Sequence, residues 1–440
     1  MPTPTASPPL LFASGETTQP EQTDSERLAR SQRISATSAL FSPSAVAKIW
    51  GVARGALDRA SPPTEMPEYT PPGSSSYSYT AADFWTSGFF PGSLYLLLER
   101  AKVYPGHFPI EKLHVEKLRY ACRWWSENLH VQAHRTDTHD LGFMILLPFQ
   151  KDYELTGDRR SLDTLVTAAN SLASRFEPRV GLIRSWDTCC TKRYAFEDPK
   201  ADFLVIIDNM LNLNLLYWVS AQTGDLRLSS IATTHAENSL KHHIRHPQWS
   251  TVHVVNFDQE TGAVKEKLTN QGYADDSTWS RGQAWGILGF AQCYAWTRKQ
   301  AFLDAAINLG EYFVSRLDDG DGVPHWDFDA PRPTYRDTSA AMIAVCGFLC
   351  IYEATPEVRF LSHALRILDA TLKMSLAPPA RFRDDGSDAV DLGSGGDTIL
   401  LNATINNHEF APRRWADHGL VYADYFFLEV GNRLLGLGLV

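Results

Sequence analysis

The sequence has little of what would assign a function at once. No apolar run reaches the roughly 20 residues of a membrane-spanning helix. Basic charge is short: 41 Lys and Arg against 51 Asp and Glu leave a net charge of −10. That balance argues against nucleic acid or an anionic membrane surface as the general partner. The N-terminus, Met1-Pro-Thr-Pro-Thr-Ala-Ser-Pro-Pro-Leu-Leu-Phe-Ala-Ser, has no basic start, and its apolar run is too short for a secretory signal. Cysteine is scarce, and Cys122, Cys189, Cys190, Cys293, Cys346 and Cys350 show no metal-site spacing. Cys346 and Cys350, four apart in an apolar stretch, read as core residues. A reducing, cytoplasmic setting is expected, and the sequon Asn402-Ala-Thr404 carries little weight without an export signal.

What the chain does have is apolar bulk. Of 440 residues, 44% are hydrophobic and 11% aromatic, enough for one large core or several small ones. Residues 1–40 are rich in Pro, Ser, Thr and Gln and are expected to form a mobile tail ahead of a folded region, 41–440. Helix-period segments then follow at about 44–59, 89–102, 113–128, 141–155, 161–175, 207–221, 228–244, 281–296, 301–316, 339–352, 357–374 and 420–434. A hairpin is expected from Val252–Phe257 and Ala263–Leu268 around the turn Asp258-Gln-Glu-Thr-Gly262.

The helices alternate in kind. One class is apolar on every side, as in Leu211–Trp218 and Ala340–Leu349; the other is amphipathic, as in Glu111–Asn128 and Phe360–Lys373. Short signals join the first kind to the second, including Tyr153-Glu-Leu-Thr-Gly-Asp158 and Tyr217-Trp-Val-Ser-Ala-Gln-Thr-Gly-Asp225. The tyrosines Tyr153, Tyr217, Tyr294 and Tyr352 recur at intervals of 64, 77 and 58 residues. Such self-similarity indicates a repeated unit. Six hairpins of inner and outer helices make an all-α (α/α)6 barrel if the ring closes and a solenoid if it does not. The long loops all run from an outer helix to the next inner one, which favours closure and gathers them where the inner helices begin.

Polar residues collect at those beginnings. The stretch Asp202–Ser220 reads as a buried helix with Asp208 at its entrance and Asn212 one turn on. Others open with His139-Asp140-Leu-Gly, with Thr278-Trp279-Ser-Arg281-Gly-Gln-Ala-Trp285 and with Arg336-Asp337, and Asp83-Phe-Trp85 precedes an earlier one. In a closed ring these meet in one pocket. Carboxylates beside indoles, an arginine and histidines suit a sugar, whose C–H faces pack on aromatic rings while polar groups read its hydroxyls. A pair of acids, one protonated and one ionised, is what glycoside chemistry needs. Each member alone is more simply structural. Asp140, Asp208 and Asp337 would serve as helix caps, His139 and His253 as satisfied core histidines, the tryptophans as core, and Arg281 as an ion-pair partner. The functional reading rests on the set.

Five segments resemble one family. His139-Asp-Leu-Gly-Phe, Ile207-Asp-Asn-Met-Leu-Asn-Leu, His253-Val-Val-Asn-Phe-Asp, Gln271-Gly-Tyr-Ala-Asp-Asp-Ser-Thr-Trp-Ser-Arg-Gly-Gln-Ala-Trp285 and Asp424-Tyr-Phe-Phe-Leu-Glu429 are together similar to the unsaturated glucuronyl hydrolases, glycoside hydrolase family 88. The resemblance runs in order from about Trp85 to the C-terminus. It implies an (α/α)6 barrel without metal or cofactor. It also implies removal of a 4,5-unsaturated uronic acid from the non-reducing end of lyase-made oligosaccharides, by hydration of the double bond. By motif it places the general acid/base on Asp208 and a second essential aspartate on Asp140. Substrate contacts fall on Trp85, His139, His253, Gln271, Arg281 and Trp285. Asp208 is expected to have a raised pKa, because burial and Asp140 outweigh Arg281 and the helix N-terminus. A monomer or weak homodimer is expected. The alternatives are an unsaturated rhamnogalacturonyl hydrolase on the same barrel and a carbohydrate-binding helical scaffold without chemistry.

Overall fold

The computed structural model describes residues 38–318 and 322–440. Almost all of the expected N-terminal tail therefore lies outside the described residues. Twelve α-helices build the ring: α1 Pro43–Arg54, α2 Phe89–Val103, α3 Val115–Ser126, α4 Leu147–Thr156, α5 Arg159–Ala173, α6 Asn209–Thr223, α7 Leu226–His242, α8 Ser280–Thr297, α9 Gln300–Ser315, α10 Thr338–Ala354, α11 Val358–Ser375 and α12 Val421–Gly436. The even-numbered helices are the apolar class. They touch in sequence: α2 to α4, the turn Gly142–Leu146 that leads into α4 to α6, then α6 to α8, α8 to α10 and α10 to α12, and α12 returns to α2. That closed inner circle makes the fold an (α/α)6 barrel, as the alternation of helix types predicts. The amphipathic odd-numbered helices cover it.

The join signals have a physical explanation. α4 and α6 end in Gly157 and Gly224, both left-handed (φ 72° and 77°), where a side chain would be strained. The next residues, Asp158 and Asp225, cap the outer helices by accepting from Arg160 N and Arg227 N. One Gly-Asp pair thus stops an inner helix and starts an outer one. At the third join the left-handed position is taken by Arg298.

The ring is sealed where its two ends meet. The Asp424 carboxylate on α12 accepts from Tyr77 Oη, Ile399 N and Leu400 N, each at 2.9 Å. Lys48 on α1 donates to the carbonyls of Gly395 and Gly396 at 2.9 and 2.8 Å. Arg100 on α2 donates to Asn432 Oδ1 at 3.0 Å and to the Leu428 carbonyl at 3.3 Å. Burial raises the Asp424 pKa to about 7 against the three donors that favour its charged form. Asp424 is therefore a closing bolt, which accounts for its place in the C-terminal motif. Asp424→Asn would turn an amide N–H toward a backbone donor, and a loss of about 2 kcal/mol is expected in thermal melts.

Three local departures bear on the site. Residues 202–206, read above as the start of a buried helix, include the strand Phe203–Ile206, and the helix begins only at Asn209. That strand pairs with Val254–Phe257, which pairs in turn with Val264–Leu268, so the expected hairpin gains a third strand. Only Asp208-Asn209 interrupts the run of β-branched and apolar residues before the apolar helix, and a short apolar run does not by itself tell strand from helix. The segment from Leu141 opens not as an α-helix but as a π-helical turn, Gly142–Leu146. There a Cβ on Gly142 would lie 2.6 Å from Asn212 Cα. Gly142→Ala is expected to push α6 from the π-turn and to lower both the melting temperature and the turnover. The first helix ends at Arg54, short of the expected 59.

No helix of the described residues is long and apolar enough to cross a membrane.

Candidate active site

All six inner helices begin at one end of the barrel, and each delivers polar or aromatic groups there. α2 follows Trp85 and Thr86; the π-turn before α4 follows His139 and Asp140; α6 follows Asp208. α8 carries Arg281 and Trp285 in its first two turns, α10 follows Asp337, and Tyr422 stands in the first turn of α12. The three-stranded sheet adds His253, whose carbonyl accepts from Ile207 N at 3.0 Å and so lines it up beside Asp208.

Asp208 occupies the N-cap position of α6, yet its side chain makes no cap hydrogen bond. It is 7% exposed, and Oδ2 is buried without a hydrogen-bond partner. The cap explanation thus fails where it was most natural. Burial raises its pKa to about 7, with the charge of Asp140 adding to the rise and Arg281 opposing it. His253 Nε2 lies 3.9 Å from Oδ2. Trp285 Nε1 stands close enough to favour the charged carboxylate without forming a hydrogen bond of ordinary geometry.

Asp140 faces the same space from the neighbouring helix start. Thr138 Oγ1 donates to its Oδ2 at 2.7 Å, and His139 Nε2 stands 3.2 Å from Oδ1, out of hydrogen-bond alignment. Its side chain is 15% exposed, so it looks onto solvent more than Asp208 does. Ile206 N donates to Ser185 Oγ at 2.9 Å, which leaves that hydroxyl free to donate to His139 Nδ1 at 3.3 Å. We assign the His139 ring proton to Nε2 on this network. Asn270 N donates to His253 Nδ1 at 3.0 Å, which assigns its proton to Nε2 as well. Burial lowers the pKa of both rings, so both are neutral donors near pH 7.

Arg281 is nearly spent on the protein itself. Nη1 donates to Asp337 Oδ2 at 2.7 Å and to the Thr404 carbonyl at 2.6 Å. Nη2 donates to Gln271 Oε1 at 3.1 Å and to the Ile405 carbonyl at 2.6 Å. It is thus the ion-pair partner that its position allowed, and it also brings positive charge to Asp208. Asp337 is a cap as well, accepting from Ser339 N at 3.0 Å. Gln271, half-buried, is held to the wall by Arg281.

Of the aromatic residues, Trp85 is half-buried and packs on Phe89, Phe143 and Tyr422. Trp285 is fully buried against Phe143 and Phe426, so it offers an N–H and not a ring face. Trp279 is also buried, stacked under the Arg281 guanidinium at 4.6 Å. Two wall residues escaped the sequence reading. Trp186, half-buried, bridges Thr138 to Leu204 and sets its ring edge-on to His253 at 6.2 Å; its only signal was a lone indole in a polar loop. Tyr422 would have followed from applying the helix-start rule to the last inner helix. A cleft of about 620 Å³ is lined by Tyr273, Tyr335 and Arg414 among others, and none of the candidate residues named above lines it.

One feature unites the site. Thr86 Oγ1, His139 Nε2, Asp208 Oδ2, His253 Nε2, Trp285 Nε1 and Tyr422 Oη are all buried, and all lack a hydrogen-bond partner within the protein. Each such atom costs about 1–3 kcal/mol unless something else satisfies it. Five at the starts of the inner helices, with His253 beside them from the edge of the sheet, suit a polar ligand.

No family model matches the chain. It is 34% identical over 355 residues to an unsaturated glucuronyl hydrolase of Formosa agariphila, covering 79% of each chain. It is 30% identical to an unsaturated chondroitin disaccharide hydrolase of Streptococcus pneumoniae, over 78% of this chain and 80% of that one. Among solved structures, it superposes with a TM-score of 0.74 on a heparin-specific unsaturated glucuronyl hydrolase, at 28% identity, covering 93% of this chain and 98% of that one.

Proposed function

The chain belongs to the unsaturated glucuronyl hydrolase family, and on that premise we propose that it removes a 4,5-unsaturated uronic acid from the non-reducing end of lyase-made oligosaccharides by hydrating the double bond. The observation that carries this reading is the Asp208 carboxyl, raised by burial and with its buried Oδ2 unpartnered, among neutral donors. A carboxyl with pKa about 7 is a proton donor and acceptor in the same working range.

The reaction follows from the substrate. Its ring oxygen and C4=C5 bond form a vinyl ether, so C4 accepts a proton while C5 becomes an oxocarbenium centre. Asp208 gives that proton. Its carboxylate then takes a proton from the water that adds to C5, which restores the acid. The hemiketal at C5 opens to a ketone, C1 becomes a hemiacetal, and the hemiacetal expels the next sugar. A single carboxyl serves as acid and then base, so the carboxylate spacing that separates retaining from inverting glycosidases has no bearing here.

Asp140 raises the Asp208 pKa by its charge and accepts from a ring hydroxyl. His139 and His253 donate from Nε2. Trp85 provides an indole face. Gln271, held by Arg281 through its Oε1, has its amide N–H left to offer the sugar. A monomer or weak homodimer in a cytoplasmic setting belongs to the same reading.

A panel of unsaturated disaccharides from chondroitin, heparin, hyaluronan and rhamnogalacturonan, read by loss of the alkene's ultraviolet absorbance, tests the reading. Turnover of uronyl-hexosamine disaccharides is the expected result. Activity on the rhamnogalacturonan product alone, or binding with no loss of absorbance, would sink it. Asp140→Asn is expected to lower kcat on the order of 10²-fold; an effect confined to KM would leave Asp140 a binding group only.

A further inference from the structure

The proposed reaction leaves one requirement without an owner. The unsaturated sugar carries a carboxylate on C5, next to the C4 that Asp208 protonates, so a group that holds it must lie within a few ångströms of Asp208. Arg281 is the evident cation, but its two Nη atoms already serve Asp337, Gln271 and the carbonyls of Thr404 and Ile405. The Nε2 atoms of His139 and His253 stand against Asp140 and Asp208, at 3.2 and 3.9 Å. Arg281 therefore supplies field, and a further donor is needed.

Tyr422 fits the requirement. It is 1% exposed, and its hydroxyl is buried with no partner, an uncommon state for a phenol, which normally finds one. Its ring is pinned: Trp85 lies 5.2 Å away, Phe89 5.5 Å, and the Arg281 guanidinium stands 5.3 Å from the ring centroid. The hydroxyl therefore points in one direction and does not swing to find an acceptor. Burial, with Asp337, Glu68 and Asp208, keeps the phenol protonated, while Arg281 pulls the other way. Glu68 is the remaining acid on that side. It is 7% exposed, and burial pushes its own carboxyl up.

We infer that the Tyr422 hydroxyl is the hydrogen-bond donor to the C5 carboxylate of the unsaturated sugar, with Arg281 behind it as the neutralising charge. Substrate binding then satisfies an oxygen that the fold leaves bare, and fixes C4 against Asp208. This assignment rests on the hydrolase reading above.

Tyr422→Phe removes the oxygen and keeps the ring stack. The test compares it with wild type on an unsaturated chondroitin disaccharide and on the methyl ester of its uronate, with melting temperatures alongside. The expected result is a KM raised on the order of tenfold for the acid, a clearly smaller rise for the ester, whose uncharged carbonyl accepts a weaker hydrogen bond, a kcat within about threefold and an unchanged melting temperature. An unaltered KM for the acid overturns the inference. So does an equal rise on acid and ester, which would put the hydroxyl on another oxygen, and so does a fall in melting temperature that accounts for the loss. A wild-type protein inert on every unsaturated disaccharide would instead overturn the hydrolase reading, and this assignment with it.

Discussion

Asp208→Asn is expected to fold, to lose on the order of 10²–10⁴ in kcat, and to be more stable than wild type above neutral pH. The stability follows from linkage. Asp208 is lifted from 3.8 to about 7 by burial, so the folded state holds its proton more tightly than the unfolded chain does. That advantage is complete below the unfolded value and declines as pH climbs. By the time pH passes the folded value, the wild type must bury a charge, a penalty of at most about 4 kcal/mol. An asparagine carries no such penalty. Melting curves of the two proteins should coincide near pH 4, separate as pH climbs from there, and reach their full separation by about pH 7, with the variant higher. Turnover has the matching limb: kcat falls as pH rises through about 7 and the acid form of Asp208 is lost. A kcat that stays level between pH 6 and 9, or a variant with near-full activity, removes Asp208 from the role.

The parts of this site that were legible in the sequence are those that repeat. The alternation of wholly apolar and amphipathic helices announced the barrel, because a helix hydrophobic all round needs neighbours on every side. The Gly-Asp joins were visible because a left-handed stop and a capping carboxylate are local devices. Asp140, Asp208 and Arg281 stood out because charges at the mouths of apolar helices are costly. Two kinds of fact were hidden. Phe203–Ile206 passed for helix, since its strand identity lies in pairing with Val254–Phe257, some fifty residues on. The saturation of Arg281 depends on the carbonyls of Thr404 and Ile405, which no local pattern connects to it. Tyr422 was passed over for a third reason: it bears no charge, so its place at the start of the last inner helix drew no attention.

The Arg281–Asp337 pair yields the second large effect. Both side chains are almost wholly buried, at 2% and 0% exposure. Removing one partner strands the other, so Asp337→Ala is expected to lose about 3–5 kcal/mol in denaturant unfolding. In the protein that still folds, the unneutralised guanidinium should draw the Asp208 pKa down and move the kinetic limb to lower pH. Replacing both, as Arg281→Met with Asp337→Leu, takes the charges away together, and buried pairs exchanged for apolar side chains often recover the loss. Recovery here should be partial, because the Thr404 and Ile405 carbonyls and Gln271 lose their donor. The functional outcome separates two roles for the pair. If it exists to set the field at Asp208, the double variant folds, its limb moves above that of wild type, and KM for the anionic sugar rises, since nothing positive remains behind Tyr422. A double variant with wild-type KM and limb would make the pair purely architectural. The charge that draws the substrate carboxylate would then have to come from elsewhere on the protein, and the exposed Arg414, in the cleft of about 620 Å³, is one candidate.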